Sequence, residues 1–315
     1  MLQLNSRKGA LSRRAFGLAL AAGAASAQQN EQDTGLTFRS DTREVLLHAT
    51  VVDKKGAFVT NLPQEAFRVQ EDGVDQKLKV FRREDVPVSM GLIVDNSGSM
   101  RRKRKKVEDA AIALVKASNP QDEIFIVNFN DVAYRDADLT SDVKKLEEGL
   151  SRIDAKGGTA MRDALSLSID YIKDKGKKAK KVLLIVTDGD DTASSDVNTL
   201  EKLLLKAQRS EVLVFAIGIL NEEDRRMAKR AQRALELLTK QSGGIAHFPK
   251  DVESVEEVAL QIAKEIRSQY ILAYSPSKAD DGSFRQLKVT VKGNGLTVRT
   301  RSGYYAKGDE KRSSL

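Results

Sequence analysis

Val88-Ser89-Met90-Gly91-Leu92-Ile93-Val94-Asp95-Asn96-Ser97-Gly98-Ser99 is an apolar run that stops on an acid and continues into hydroxyls. A run apolar on consecutive positions is the pattern of a strand covered on both faces, as in a parallel sheet. The form recurs at 124–129, 182–187 and 212–217, with a shorter run near 245–248. Helical stretches separate these runs, at 102–117, 142–152, 160–174, 197–209, 222–240 and 252–267. Strand–helix alternation predicts an α/β domain over 86–267, built on a doubly wound, mostly parallel sheet.

In such a sheet, ligands bind outside the carboxyl ends of the strands, at a topological switch point. Asp95 ends the first strand, and Asp188, in Thr187-Asp188-Gly189, ends another. Thr159 follows Gly157-Gly158 on the loop that opens the helix near Ala160. Asp95, Ser97, Ser99, Thr159 and Asp188 can therefore converge from three remote segments. Two carboxylates and three hydroxyls suit a hard divalent cation, Mg2+ with Mn2+ or Ca2+ as alternatives, and leave room for an outside ligand.

Each of the five residues taken singly also fits a helix cap or a turn. Other site types fail on detail. A haloacid-dehalogenase-like phosphatase wants a second Asp two residues after its nucleophile, and Ser97 stands there. Gly157-Gly158-Thr159-Ala160 lacks the Lys of a P-loop. Asp95-Asn96-Ser97-Gly98-Ser99 is not a glycine-rich dinucleotide turn and sets an acid where a pyrophosphate would lie. Asp188-Gly189-Asp190-Asp191 lacks the twelve-residue calcium-loop spacing. Asp190 and Asp191 read as solvated loop acids, and Asp163 as a residue behind the ligands.

β patterns flank this domain. Strand formers fill 45–52, 66–70 and 78–81, with turns at Lys54-Lys55-Gly56 and Glu71-Asp72-Gly73. After it come 270–274, the alternation Leu287, Val289, Val291, and 296–300 beyond Gly293-Asn294-Gly295. Neither flank, 37–85 or 268–306, holds enough strands to stand alone. The economical solution is one small β-sandwich made from both, with the α/β domain inserted. Residues 28–36 read as a polar linker and 307–315 as a disordered tail.

Residues 1–27 carry Arg7, Lys8, Arg13 and Arg14 without an acid, a short apolar core and Ala25-Ser26-Ala27. This is the anatomy of a secretory signal peptide cleaved after Ala27. Ser12-Arg13-Arg14-Ala15-Phe16 further suggests the twin-arginine route. The expected destination is the periplasm or the exterior, with no transmembrane segment after signal removal. The formal charge of +8 over 315 residues halves when those four cations leave, so no nucleic-acid partner is expected. The chain has no Cys, which excludes disulfides and thiolate metal sites. Its two histidines, His48 and His247, read as ordinary strand residues.

Asp95-x-Ser97-x-Ser99 with Thr159 and Asp188 resembles the metal-ion-dependent adhesion site of von Willebrand factor type A domains, and the chain as a whole resembles the bacterial secreted group of such proteins. Phe67-Arg68-Val69-Gln70-Glu71-Asp72-Gly73 before the domain and Arg301-Ser302-Gly303-Tyr304-Tyr305 after it carry the wider likeness. The resemblance implies that Asp95, Ser97 and Ser99 hold a metal directly or through water. Thr159 and Asp188 would complete its shell, and an Asp or Glu of a protein partner would take the open position. The function expected is a non-enzymatic, exported binding module. The alternatives are a metal-dependent hydrolase such as a phosphatase, and a structural envelope-assembly protein with a vestigial metal site. The run Arg101-Arg102-Lys103-Arg104-Lys105-Lys106 opens a helix against its dipole. It reads either as a solvated face or as a device that steers an acidic partner.

Overall fold

The computed structural model describes residues 44–306, apart from 84, 152–154 and 221–223. The expected signal peptide, linker and tail lie outside the described residues. The chain opens with β1 (Val45–Val52), β2 (Phe67–Glu71), β3 (Val74–Gln76) and β4 (Leu78–Arg82). The α/β part runs β5 (Val88–Asp95), α1 (Arg104–Ala117), β6 (Glu123–Phe129), β7 (Ala133–Thr140), α2 (Val143–Ser151), α3 (Met161–Lys175), β8 (Lys180–Thr187), α4 (Leu200–Ser210), β9 (Leu213–Gly218), α5 (Arg225–Ser242), β10 (Ala246–His247) and α6 (Val255–Arg267). The chain closes with β11 (Tyr270–Tyr274), β12 (Phe284–Val291), β13 (Thr297–Arg299) and β14 (Gly303–Tyr305).

The central sheet has the order β10-β9-β8-β5-β6-β7. Its strands are parallel except β7, which runs antiparallel to β6. Every residue of β5 is buried, because helices cover both faces. Met90, Leu92 and Val94 enter a core shared with α1, α2 and α6. Ile93 enters the opposite core, shared with α3, α4 and α5. Gly91 lies where a side chain would collide with Phe125 and Leu183. The chain passes from β5 to β6 on one side and returns in β8 on the other, so the crevice between β5 and β8 is the switch point. The expected α/β class and mostly parallel sheet are what the structure has. The departure is β7, whose Ala-Tyr-Arg-Asp-Ala-Asp-Leu-Thr sequence is polar because an edge strand leaves most of its side chains in contact with water.

The flanks form two antiparallel four-stranded sheets, β13-β1-β11-β4 and β14-β12-β2-β3. Each mixes strands from before and after the α/β part, as the sandwich expectation required. Leu47, Val51, Phe67, Val69, Leu272, Leu287 and Val289 share the core between them. A buried carboxylate ties the layers together. Glu71 on β2 accepts hydrogen bonds from the hydroxyls of Tyr274 on β11, at 2.6 Å, and Tyr304 on β14, at 2.8 Å.

Lys180 lies in the lysine-rich stretch 173–181, yet it opens β8 and is buried. Its ammonium donates to the carbonyl of Ile266, in the last turn of α6, where the helix dipole favours positive charge. Burial nonetheless pushes its pKa down to about 7, with the charge of neighbouring Arg267 adding to the fall.

Candidate metal centre

Asp95 is the last residue of β5, and its side chain is wholly buried. One carboxylate oxygen accepts the Ser97 N–H at 2.8 Å and the other accepts the Thr187 hydroxyl at 2.6 Å. Burial pushes its pKa up to about 6, against the pull of those hydrogen bonds and with the charge of Asp188 adding to the rise. The sheet thus holds an acid in a place that favours its neutral form.

Past Asp95 the backbone is extended at Ser97 and then winds through a short 3-10 turn, Gly98–Arg102, anchored by the fully buried Met100. The expected helix therefore starts later, at Arg104. This turn aims two hydroxyls the same way. Ser97 Oγ and Ser99 Oγ lie 3.0 Å apart, and Ser99 Oγ donates to Asp188 Oδ1 at 2.7 Å. Asp188 follows β8 directly, and its side chain is fully buried. Its second oxygen, Oδ2, receives the Lys103 ammonium at 2.7 Å. Lys103 also donates to the Ile219 carbonyl at 3.3 Å.

Thr159 arrives on a loop laid against the β5 end. Gly98 N–H donates to Gly157 O, and Lys156 N–H to Asn96 O, both at 3.1 Å. Gly157 has φ +76°, and a side chain there would strike the Asp131 carboxylate; only glycine serves both demands. Thr159 is buried, with its N–H donating to Thr192 Oγ1 at 3.0 Å and its carbonyl accepting Thr192 N–H at 2.9 Å. Asp95, Ser97, Ser99 and Asp188 are thus tied by short hydrogen bonds running through Thr187 and the turn backbone. Thr159 lies two residues past Gly157, whose carbonyl meets the turn at Gly98, and its own backbone is bonded to Thr192.

Neighbouring charges fell to other tasks than expected. Asp191 accepts the Arg162 N–H at 2.7 Å and pairs with the same residue's guanidinium, capping α3. Asp190 pairs with Arg230 at 2.7 Å. Neither is a free loop acid. Asp163 binds Ser195 and Asn198, pinning the loop before α4 rather than backing the site. The basic run is no uniform face. Arg104 is buried against the Leu150 carbonyl, Lys105 pairs with Asp109, Lys106 pairs with Glu253, and Lys103 turns inward. Thr187 and Lys103 are the contributors that motif reading passed over. Thr187 had a signal, its place at a strand end beside Asp188; Lys103 had none within a run of six cations.

The donor set fits a hard cation. All candidate atoms are oxygens, two from carboxylates and three from hydroxyls. Among the described residues, no group of three or more Asp, Glu, His or Cys could hold a metal ion, so a cation here relies on the hydroxyls.

Residues 90–190, which span the β5 turn, the Thr159 loop and Asp188, match the family model described as von Willebrand factor type A domain. This part of the chain is a von Willebrand factor type A (VWA) domain. Integrin alpha-11 of Mus musculus is 31% identical over 112 residues, covering 34% of this chain and 9% of that protein. Its Homo sapiens counterpart is 35% identical over 88 residues, covering 27% and 7%. The chain thus spans less than a tenth of the integrins it matches. A von Willebrand factor type A structure from Catenulispora acidiphila shares the fold, with TM-score 0.50 and 14% identity over 88% of this chain and 76% of that one. Proximal thread matrix protein 1 of the mussel byssus, solved with a zinc-occupied MIDAS motif, has TM-score 0.50 and 13% identity over 62% and 50%. No described helix is long and apolar enough to cross a membrane.

Proposed function

We propose that this protein is an exported module that binds a protein partner through a divalent cation held by Asp95, Ser97, Ser99, Thr159 and Asp188. The carrying observation is the hydrogen-bonded chain from Ser97 through Ser99 to Asp188, beside a buried Asp95, at the switch point of the VWA sheet. Thr187 and the Ser97 N–H fix the orientation of Asp95 before any ligand arrives. Ser97 and Ser99 supply neutral oxygens, so the site holds few negative charges. A divalent cation, with Mg2+ the leading candidate, would supply a Lewis-acidic position able to take a carboxylate oxygen from an Asp or Glu of the partner. The zinc-occupied motif in the byssus protein supports the family precedent for a cation in such a motif. The groups bonded to Asp95 and Asp188 are hydroxyls, a backbone N–H and an ammonium, a set that favours binding over proton transfer.

Calorimetry with Mg2+ and Mn2+ tests this. Asp95→Ala and Asp188→Ala abolish cation binding while circular dichroism stays native. Retained affinity in both variants overturns the assignment, and Asp95-dependent hydrolysis of a generic phosphoester would favour a hydrolase instead.

A further inference from the structure

Lys103 is the one member of the basic run that enters the site. It sits between the 3-10 turn and α1. Its backbone N–H donates to Met100 O at 2.8 Å, and its carbonyl accepts Val107 N–H at 3.1 Å. Met100 is locked in the core, so the stem of Lys103 starts from a fixed point. The ammonium then bridges two strand-end loops, reaching Asp188 Oδ2 after β8 and Ile219 O after β9. Its side chain is 23% exposed and that of Asp188 is 0% exposed. This is no loose surface pair. A buried carboxylate has one oxygen on a hydroxyl and the other on an internal cation.

We propose that Lys103 is a resident counter-cation of this site, competing with the divalent cation for Asp188 and thereby setting how tightly metal is held and how strongly a loaded site attracts an acidic ligand. The inference rests on the metal-binding reading above and concerns the same five donors. Like charges repel, and they do so more strongly in a desolvated site than in water. With Lys103 on Asp188, the protein presents one uncompensated carboxylate, Asp95, instead of two. The affinity for a dication is lower for it. The same ammonium leaves the loaded site with net positive charge, whereas two carboxylates alone would neutralise a dication. Lys103 therefore gives up metal affinity in exchange for attraction towards a carboxylate, a trade that suits a binding site which must keep an open position.

The test compares wild type, Lys103→Met, Lys103→Arg and Asp95→Ala by calorimetry with Mg2+ and Mn2+, and by thermal unfolding with EDTA or with excess Mg2+. Lys103→Met keeps the apolar stem and removes the charge. It is expected to bind Mg2+ at least about tenfold more tightly than wild type, a modest effect for a unit charge this close. It should melt earlier in EDTA, because Asp188 loses its counter-ion, and gain more from Mg2+. Lys103→Arg retains the charge and stays near wild type in metal affinity. Unchanged or weaker Mg2+ binding by Lys103→Met, with wild type binding normally, overturns the inference and leaves the metal site standing. Equal tightening in Lys103→Arg also overturns it, since packing and not charge would then be responsible. Metal binding that is absent from wild type, or that survives in Asp95→Ala, overturns the reading of the site and this inference with it. If Lys103→Met unfolds, Lys103→Gln under the same comparison serves in its place.

Discussion

Asp95→Asn separates what the site costs the fold from what it gives to binding. Asn has the size of Asp and can keep both contacts. Its carbonyl oxygen accepts the Ser97 N–H, and its amide donates to the Thr187 hydroxyl, which accepts instead of donating. What is lost is a buried negative charge. Burial lifts the Asp95 pKa from 3.8 to about 6, a rise of about two units, equivalent to about 3 kcal/mol. The sign follows from proton counting. The folded protein holds this proton more tightly than the unfolded chain, so stability falls as pH rises from about 4 through 6, and the full penalty applies above that. In EDTA at pH 7.5, Asp95→Asn is therefore more stable than wild type by up to about 3 kcal/mol, which raises the melting temperature by several degrees in a chain of this size. Its pH profile between 4 and 7 is flatter. With excess Mg2+ the order narrows or reverses, because wild type gains stability by binding and the variant does not. Differential scanning calorimetry in both buffers, across that pH range, supplies the comparison. A variant less stable than wild type in EDTA would show that the hydrogen bonds to Asp95, not its burial, dominate. An equal Mg2+ response in both proteins would remove Asp95 from the metal site.

Two further predictions concern the scaffold. Lys180→Met is more stable than wild type at pH 7 by about 3 kcal/mol, the depressed ammonium pKa outweighing the lost bond to Ile266. Because the folded state resists protonating Lys180, wild-type stability climbs as pH rises from about 7 towards 10 while the variant stays level; urea melts across that range would expose a failure as parallel profiles. Tyr274→Phe removes one of two hydroxyls from buried Glu71 and destabilises the protein by about 2 kcal/mol. Equal urea midpoints for the two proteins would show that the carboxylate does not tie the flanking sheets together.

Legibility in this sequence follows the range of the interaction. The parallel strands declare themselves because helices cover both faces, which forces apolar residues onto consecutive positions; Val88–Asp95 is buried throughout. The pairing of the flanks was legible for a different reason, since β1 and β2 had no other partners sufficient to close a sheet and found them in β11, β13 and β12. β7 escaped because an edge strand has only one paired side and its sequence may stay polar without penalty. Charges were the least legible. A cation's role is set by the oxygen it meets, and for these two lysines that oxygen is remote in sequence. Lys103 meets Asp188 85 positions away, and Lys180 meets Ile266 86 positions away. Neither distance leaves a local trace, so the role of neither lysine could be read from the charged stretch that holds it. The oxygens of the site were visible because backbone turns at strand ends demand small polar residues there. Their counter-charge was invisible because nothing local demands it. That asymmetry directs attention to the cation already built into the site: the oxygens are the donors of the proposed metal centre, and Lys103 is the group proposed to set how firmly it holds a metal.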